Sequence, residues 1–317
     1  MPNYSGVWDL KEQGVAVKGD RWQQYVEPRV LFGGGNNNQN VIQYVSPSTL
    51  GNATDFGDLI VNRQGCSGLA SVIRGIFVGT SVSGQMATID YVTILTTGNA
   101  ADFGDLTALG YFMGTCSNNT RGVFGNRSGA SNFQNTIDYV TIASTGNATD
   151  FGDDTVARNQ LCGFASPTRG IFTGGAISGG DTDVITYITI ASTGNATDFG
   201  DLTEAKYGVA GCSSKTRGII AGGTPDAGSN FTNVIEYITI PSTGNGTDFG
   251  DLLSGKQAMA GASSTTRGLF GGGADNSVEQ DVIQYITISS TGNATDFGNL
   301  DTGKQQLGGT SNVHGGL

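Results

Sequence analysis

The strongest apolar run in the chain is Val234-Ile-Glu-Tyr-Ile-Thr-Ile, with β-branched and aromatic residues on both pleat faces. Such a run predicts a strand covered on both sides, because either face left open would expose apolar surface to water. Ahead of it, Tyr207-Gly-Val-Ala-Gly-Cys-Ser-Ser predicts a strand of small residues, and Arg217-Gly-Ile-Ile-Ala-Gly-Gly a second strand closed by a glycine pair. After it, Thr243-Gly-Asn-Gly makes a turn and Thr247-Asp-Phe-Gly-Asp-Leu a short outer strand. The stretch from Lys206 to Leu252 therefore predicts four strands.

The whole pattern recurs. Six copies share a refrain running from a tyrosine to Gly-Asn-x-x-Asp-Phe-Gly, anchored at Tyr44, Tyr91, Tyr139, Tyr187, Tyr237 and Tyr285, in steps of 47, 48, 48, 50 and 48 residues. A Gly-punctuated period of that size belongs to four-stranded propeller blades, not to helical solenoids. The predicted fold is all-β: a single closed six-bladed β-propeller of antiparallel blades over residues 29–317, preceded by a non-repeating arm at 1–28. Copy one starts at its second strand, Arg29-Val-Leu-Phe-Gly-Gly-Gly, whereas the chain ends on Gly303-Lys-Gln-Gln-Leu-Gly-Gly-Thr-Ser, a match to an inner strand. Residues 303–311 are expected to close the ring by terminal strand exchange, with Lys18-Gly-Asp-Arg-Trp-Gln-Gln-Tyr as the rival closing strand.

Length variation is confined to one place. From refrain tyrosine to Asp-Phe-Gly phenylalanine is always 12 residues, and from that phenylalanine to the next arginine always 18. From arginine to tyrosine the count runs 15, 17, 18, 18, 20 and 18, so the connection between second and third strands is the one the fold does not dictate. These loops supply the candidate partner-binding residues Asn36, Asn37, Asn38, Phe133, Asn135, Asp181, Asp183, Asp226, Phe231, Asn233, Asp275 and Glu279. Phe133 and Phe231 offer aromatic faces among amides, as a sugar platform would, while the other loops suit weak polar contact. The arm holds both tryptophans, Trp8 and Trp22, with Tyr4 and Tyr25, and is the candidate assembly segment because large aromatics concentrate interface energy.

A net charge of −11 removes nucleic acid as a partner, since no Lys/Arg cluster exists to displace counterions. No apolar run reaches the length of a membrane span, and Met1-Pro-Asn-Tyr-Ser-Gly-Val-Trp has no signal-peptide pattern, so synthesis in a cytoplasm is expected. Cys66, Cys116, Cys162 and Cys212 fall once each in successive copies and are expected to be buried free thiols. Asp-Phe-Gly holds magnesium in kinases, but six occurrences at blade spacing, without the other kinase motifs, give it a structural role between blades. The Asn-x-Thr triplets at Asn52, Asn147, Asn195 and Asn293 are expected to be turn residues, Asn taking the left-handed region and Thr or Asp closing a local side-chain-to-backbone bond, not glycosylation sites. Arg29, Arg74, Arg121, Arg169, Arg217 and Arg267 recur at one position and are expected to clamp refrain aspartates such as Asp55 and Asp198.

No catalytic, metal-binding or cofactor-binding residues are expected. The spacings match no calcium loop, the one histidine, His314, lies near a chain end where order is often lost, and the loop carboxylates form no evident catalytic pair.

The glycine pairs Gly174-Gly175, Gly222-Gly223 and Gly272-Gly273, each followed by a tyrosine in the third strand, resemble the kelch motif across all six copies. The chain departs from it in carrying Phe56, Phe103, Phe151, Phe199, Phe249 and Phe297 where kelch repeats usually have Trp, and in an incomplete pair at Thr80 and Asn126. The refrain Thr-Ile-Ala-Ser-Thr-Gly-Asn-Ala-Thr-Asp-Phe-Gly-Asp resembles repeats of virion-associated proteins of marine bacteriophages, including those infecting cyanobacteria. Tyr4-Ser-Gly-Val-Trp-Asp-Leu-Lys-Glu-Gln and Gly19-Asp-Arg-Trp22 resemble segments of phage tail and appendage proteins. The resemblance implies a non-enzymatic structural virion component in a tail, fibre or capsid appendage, joined to other virion proteins through the arm. The alternative it implies is an adhesin binding a host glycan or surface protein through one loop face, with self-association open in either case.

Overall fold

A computed structural model describes residues 27–36, 39–79, 86–129, 132–225, 230–276 and 278–317. It contains six four-stranded antiparallel sheets and, among the described residues, no helix. From the axis outward, blade one is Gly308–Ser311, Val30–Gly33, Val41–Val45 and Thr54–Asp58. Blade two is Ser67–Ala70, Arg74–Val78, Thr88–Thr93 and Ala101–Asp105, and blade three is Gly114–Ser117, Arg121–Arg127, Gln134–Thr141 and Thr149–Arg158. Blade four is Cys162–Ala165, Arg169–Thr173, Val184–Thr189 and Thr197–Asp201. Blade five is Ala210–Ser213, Arg217–Ala221, Val234–Thr239 and Thr247–Asp251, and blade six is Ala260–Ser263, Arg267–Gly271, Val282–Thr287 and Thr295–Asn299.

The refrain is explained by what happens where blades meet. In blade one Ile42 pairs with Gly57 but Gln43 pairs with Asp55, so Phe56 is the extra residue of a β-bulge, and all six copies repeat this shift. The bulge turns each phenylalanine into the seam with the next blade, where Phe56 packs in one cluster with Leu31 and Ile42 of its own blade and Phe77 and Val92 of the next. Each ring stands edge-on to its refrain tyrosine at 5.8–6.2 Å. Gly57 has φ +143°, and a Cβ there would lie 2.5 Å from the Gly98 carbonyl of the following blade. The Thr-Gly-Asn turn of one copy therefore sits on the Asp-Phe-Gly of the copy before it.

Three hydrogen bonds fix that contact: Gly98 N–H to Phe56 O at 2.7 Å, Ala100 N–H to Asp58 O at 2.7 Å, and Asp58 N–H to Asn99 Oδ1 at 3.1 Å. The asparagine of the turn is not in the left-handed region expected of it; it serves instead as an acceptor across the seam, a correction to its expected role. The same three bonds join blade six to blade one, from Gly51, Ala53 and Asn299, so the ring is closed.

The C-terminal strand performs the closure. Val30 pairs with Ser311, Leu31 with Thr310, Phe32 with Gly309 and Gly33 with Gly308. In the other blades a serine or asparagine in the turn after the inner strand accepts the arginine N–H, as Ser71 does from Arg74 at 3.1 Å. Asn312 Oδ1 accepts from Arg29 N–H at 2.8 Å, so residues 312 and 29 reproduce that turn although they are far apart in the chain. Tight packing at the axis follows from small residues: a Cβ on Gly309 would lie 2.6 Å from the Gly261 carbonyl of the neighbouring inner strand.

Candidate functional site

The six recurring arginines do not clamp aspartates. Each guanidinium lies over its own refrain tyrosine, 4.4–4.8 Å from the ring centroid. Each Nη1 donates to a carbonyl of the next blade, such as Ile94 from Arg29 and Ile288 from Arg217, the sixth reaching Pro47 across the closing seam. The refrain aspartates at the first position of Asp-Phe-Gly remain exposed on the rim. A planar cation held between an aromatic face and a carbonyl needs no carboxylate, which is why the expected ion pair does not form.

The buried charges are a different set. Arg63, Arg158, Lys206, Lys256 and Lys304 each stand seven residues after a refrain phenylalanine, and all are buried. They meet polar residues of the third strand or the connection: Arg63 bonds Asp90 at 2.6 Å, Lys206 bonds Glu236 at 2.6 Å, and Arg158 bonds Asp154 at 2.9 Å and Thr186 at 2.8 Å. Lys304 pairs with Asp301 at 2.9 Å. Among the described residues Lys256 makes no ion pair; burial pulls its ammonium below the ordinary value, and Asp275 and Asp281 of the connection offset part of that. In copy three the position is Gly110, and Arg127 from the second strand fills the vacated space to bond Asp138 at 2.8 Å. Asn126 and Arg127 replace both glycines there, and Asn126 keeps the left-handed backbone at φ +55°.

Connections between second and third strands and connections between blades emerge at the same face. On it Asn36 is buried: its Nδ2 donates to the Glu279 carboxylate and its Oδ1 accepts from Gln305 N–H at 3.2 Å, tying blade one to blade six. Phe133 and Phe231 are half-buried, and the Phe231 carbonyl packs against Gly255. Asn135 Nδ2 donates to the Asp154 carbonyl at 3.2 Å, and Asp275 accepts from Asn276 at 3.0 Å. Asn233 and Asp183 offer carbonyls to Leu252 and Leu202 N–H at 2.7 and 2.8 Å. Asp183, Asp198 and above all burial raise the Asp201 carboxyl. Asp181 is half-buried in the hairpin of Ala176–Ile177 and Gly180–Asp181. These candidates come from five blades, and of them the structure joins Asn36 to Glu279. Asn37, Asn38, Asp226 and the arm residues Tyr4, Trp8, Trp22 and Tyr25 lie outside the described residues.

At the centre of the same face the six connections between blades form a feature the sequence does not announce. Gly65, Phe112, Gln160, Gly208, Ala258 and Gln306 occupy one repeat position, and all have left-handed backbones at φ +53° to +69°. Each N–H donates to the carbonyl of its equivalent in the preceding blade, at 2.8–3.1 Å, and the last bond runs from Gly65 to Gln306. The result is a closed ring of peptide hydrogen bonds around the channel mouth. Beneath it lies an apolar floor of Cys66, Met113, Leu161, Val209, Met259 and Leu307. From this mouth inward the axis holds cavities of about 70, 110 and 50 Å³.

The opposite end is plugged by the chain terminus. His314, expected at a loosely ordered end, is half-buried, with Nε2 2.9 Å from Ala70 O and 3.2 Å from Ser117 Oγ. Gly316 N–H donates to its Nδ1 at 3.0 Å, so Nε2 carries the proton of a neutral ring. Burial depresses its pKa from 6.5 to about 4. The four cysteines are buried free thiols, and burial pushes Cys66 and Cys162 up to about 12 and raises Cys116 and Cys212 as well. Among the described residues no cluster of three His, Cys, Asp or Glu is placed to hold a metal ion, and no helix is long and apolar enough to cross a membrane. Compared with known proteins, the chain matches no family model and no curated protein.

Proposed function

We propose that this chain is a non-catalytic structural component of a bacteriophage virion, a rigid propeller knob on a tail, fibre or capsid appendage. The observation that carries the reading is where the repetition goes: the refrain's bulge phenylalanine, its following glycine and its turn asparagine are all committed to blade-to-blade contact. The axis, where propellers most readily house a small-molecule site, retains cavities of about 110 Å³ or less, below the ~300 Å³ of ordinary ligand pockets. A knob of this kind offers rigidity and one variable face. The phage assignment is supported by the resemblance of the refrain and of the arm segments to virion proteins. In this reading the arm, with Tyr4, Trp8, Trp22 and Tyr25, contacts neighbouring virion proteins, and the loop face is left to solvent or host.

Density for the knob in an intact particle is the test. The expected result is an arm buried against another subunit with the face bearing Phe133 and Phe231 free; an arm confined to its own blades beneath a buried loop face overturns the reading. Purified protein is expected to hydrolyse neither phosphate esters nor glycosides, and turnover abolished by changing one loop carboxylate would refute the non-catalytic half. The second reading, a host adhesin, is favoured by the two half-exposed phenylalanines on the variable face.

A further inference from the structure

We infer that the groove at the seam of blades five and six, on the face opposite the variable loops, binds a uronate, a sugar carrying a carboxylate. This goes beyond the virion reading and stands without it. A cavity of about 450 Å³ opens there between the 214–217 turn of blade five and Thr265, Ile288 and Ser289 of blade six. Unlike the axial cavities, it exceeds the ~300 Å³ of ordinary ligand pockets. No carboxylate lines it. Lys215 does, and it is the one exposed Lys or Arg among the described residues of a chain with net charge −11.

Copy one shows what the groove lacks. Arg29 lies over Tyr44, gives Nη1 to Ile94 O at 3.0 Å, and gives Nη2 to the Glu27 carboxylate at 3.2 Å. Arg217 repeats the first two contacts, over Tyr237 and to Ile288 O at 2.9 Å, but its Nη2 has no partner among the described residues. The residue two places before the arginine is Glu27 in copy one and Lys215 in copy five. A second cation therefore stands where copy one supplies the carboxylate, and an anion seated on Arg217 Nη2 would meet both charges. In the other copies that position is Val72, Asn119, Pro167 and Thr265, so the paired cations belong to this seam alone.

The rest of the groove suits a polyol. Thr216, Thr265 and Ser289 line it with hydroxyls that make no hydrogen bond among the described residues, and each can both donate and accept. Blades three and four carry Ala143 and Ala191 at the position of Ser289, so the hydroxyl is not a demand of the repeat. A bare carboxylate would leave most of the cavity unused. A pyranose ring bearing one offers its anion to Lys215 and Arg217 and its hydroxyls to Thr216, Thr265 and Ser289.

Binding of glucuronate and galacturonate to the full chain is measured by calorimetry or ligand-observed NMR, with glucose, acetate and triglutamate as controls. Lys215→Thr introduces the residue of blade six and Lys215→Glu the carboxylate of copy one. Both replace an exposed side chain, so both variants are expected to fold as the parent does. The inference predicts that a uronate binds and that each control binds at least about tenfold more weakly. Lys215→Thr should weaken uronate binding about tenfold, and Lys215→Glu should abolish it by occupying Arg217 from within the chain. No uronate binding, equal binding of glucose or acetate, or binding unchanged in either variant overturns the inference. Triglutamate bound as tightly as a uronate would assign the groove to an acidic protein segment and overturn the sugar. None of these outcomes bears on where the knob sits in a particle, so failure here is distinct from failure of the virion reading.

Discussion

Replacing Arg217 tests how the seams are held. Its guanidinium lies 4.4 Å from the Tyr237 ring centroid, and Nη1 reaches Ile288 O of the next blade at 2.9 Å. A partly buried cation over an aromatic ring contributes about 1–2 kcal/mol, and a hydrogen bond from a charged donor about 1.5–3 kcal/mol. Allowing for overlap, Arg217→Met should cost roughly 2–4 kcal/mol. Tyr237→Leu should share about 1 kcal/mol of that loss in a double-mutant cycle, because the ring is half of the same contact. Asp248, exposed on the rim, should matter little: Asp248→Asn is expected to stay within about 0.5 kcal/mol of the parent. Urea unfolding followed by far-UV circular dichroism reads the parent and all four variants, the double mutant included, since both tryptophans lie outside the described residues. Asp248→Asn as damaging as Arg217→Met, or a cycle with no coupling, would show that the arginine serves an ion pair after all.

Thr173 is fully buried in the second strand of blade four with an Oγ1 that has no partner, and blade two carries Val78 at the same position. Thr173→Val should therefore stabilise the protein by about 1 kcal/mol in the same urea assay, and a loss would mean the hydroxyl is satisfied. None of the four buried thiols should react with a disulfide reagent at neutral pH, and all four should react once unfolded; fast native reaction of one would contradict its burial. His314 is kept neutral by burial, so the unfolded chain takes up its proton first as pH falls. Its contribution should be complete above pH 6.5 and decline by roughly 3 kcal/mol as pH drops toward 4, a decline that His314→Asn lacks; identical pH profiles would contradict the buried ring.

Strands and blade count were legible because the third strand repeats with little change and the refrain sets its period. Closure was legible too, since 303–311 copies an inner strand and copy one lacks one. Partner choice was not. Arginine, tyrosine and aspartate all recur at the same period, so spacing cannot say which two meet, and only geometry puts Arg217 on Tyr237 instead of an aspartate. The buried cations did leave a signal, a basic residue seven places after the refrain phenylalanine, interrupted at Gly110 because Arg127 answers from another strand. The left-handed ring left almost none: four of its six members are not glycine, and ordinary residues give no warning of positive φ. His314 was unreadable because its burial depends on where the closing strand delivers the chain end.

The closure itself is open to native-state hydrogen exchange resolved by peptide. In the closed ring the amides of 308–311 that bond to the strand at Val30–Gly33 are held in the ladder of an inner strand facing the axis, like those joining Ala260–Ser263 to Arg267–Gly271 in blade six. The account predicts that segments 30–33 and 308–311 exchange together and as slowly as their counterparts in blade six. Exchange of 308–311 on the timescale of an unpaired segment, while the other inner strands stay protected, would contradict it.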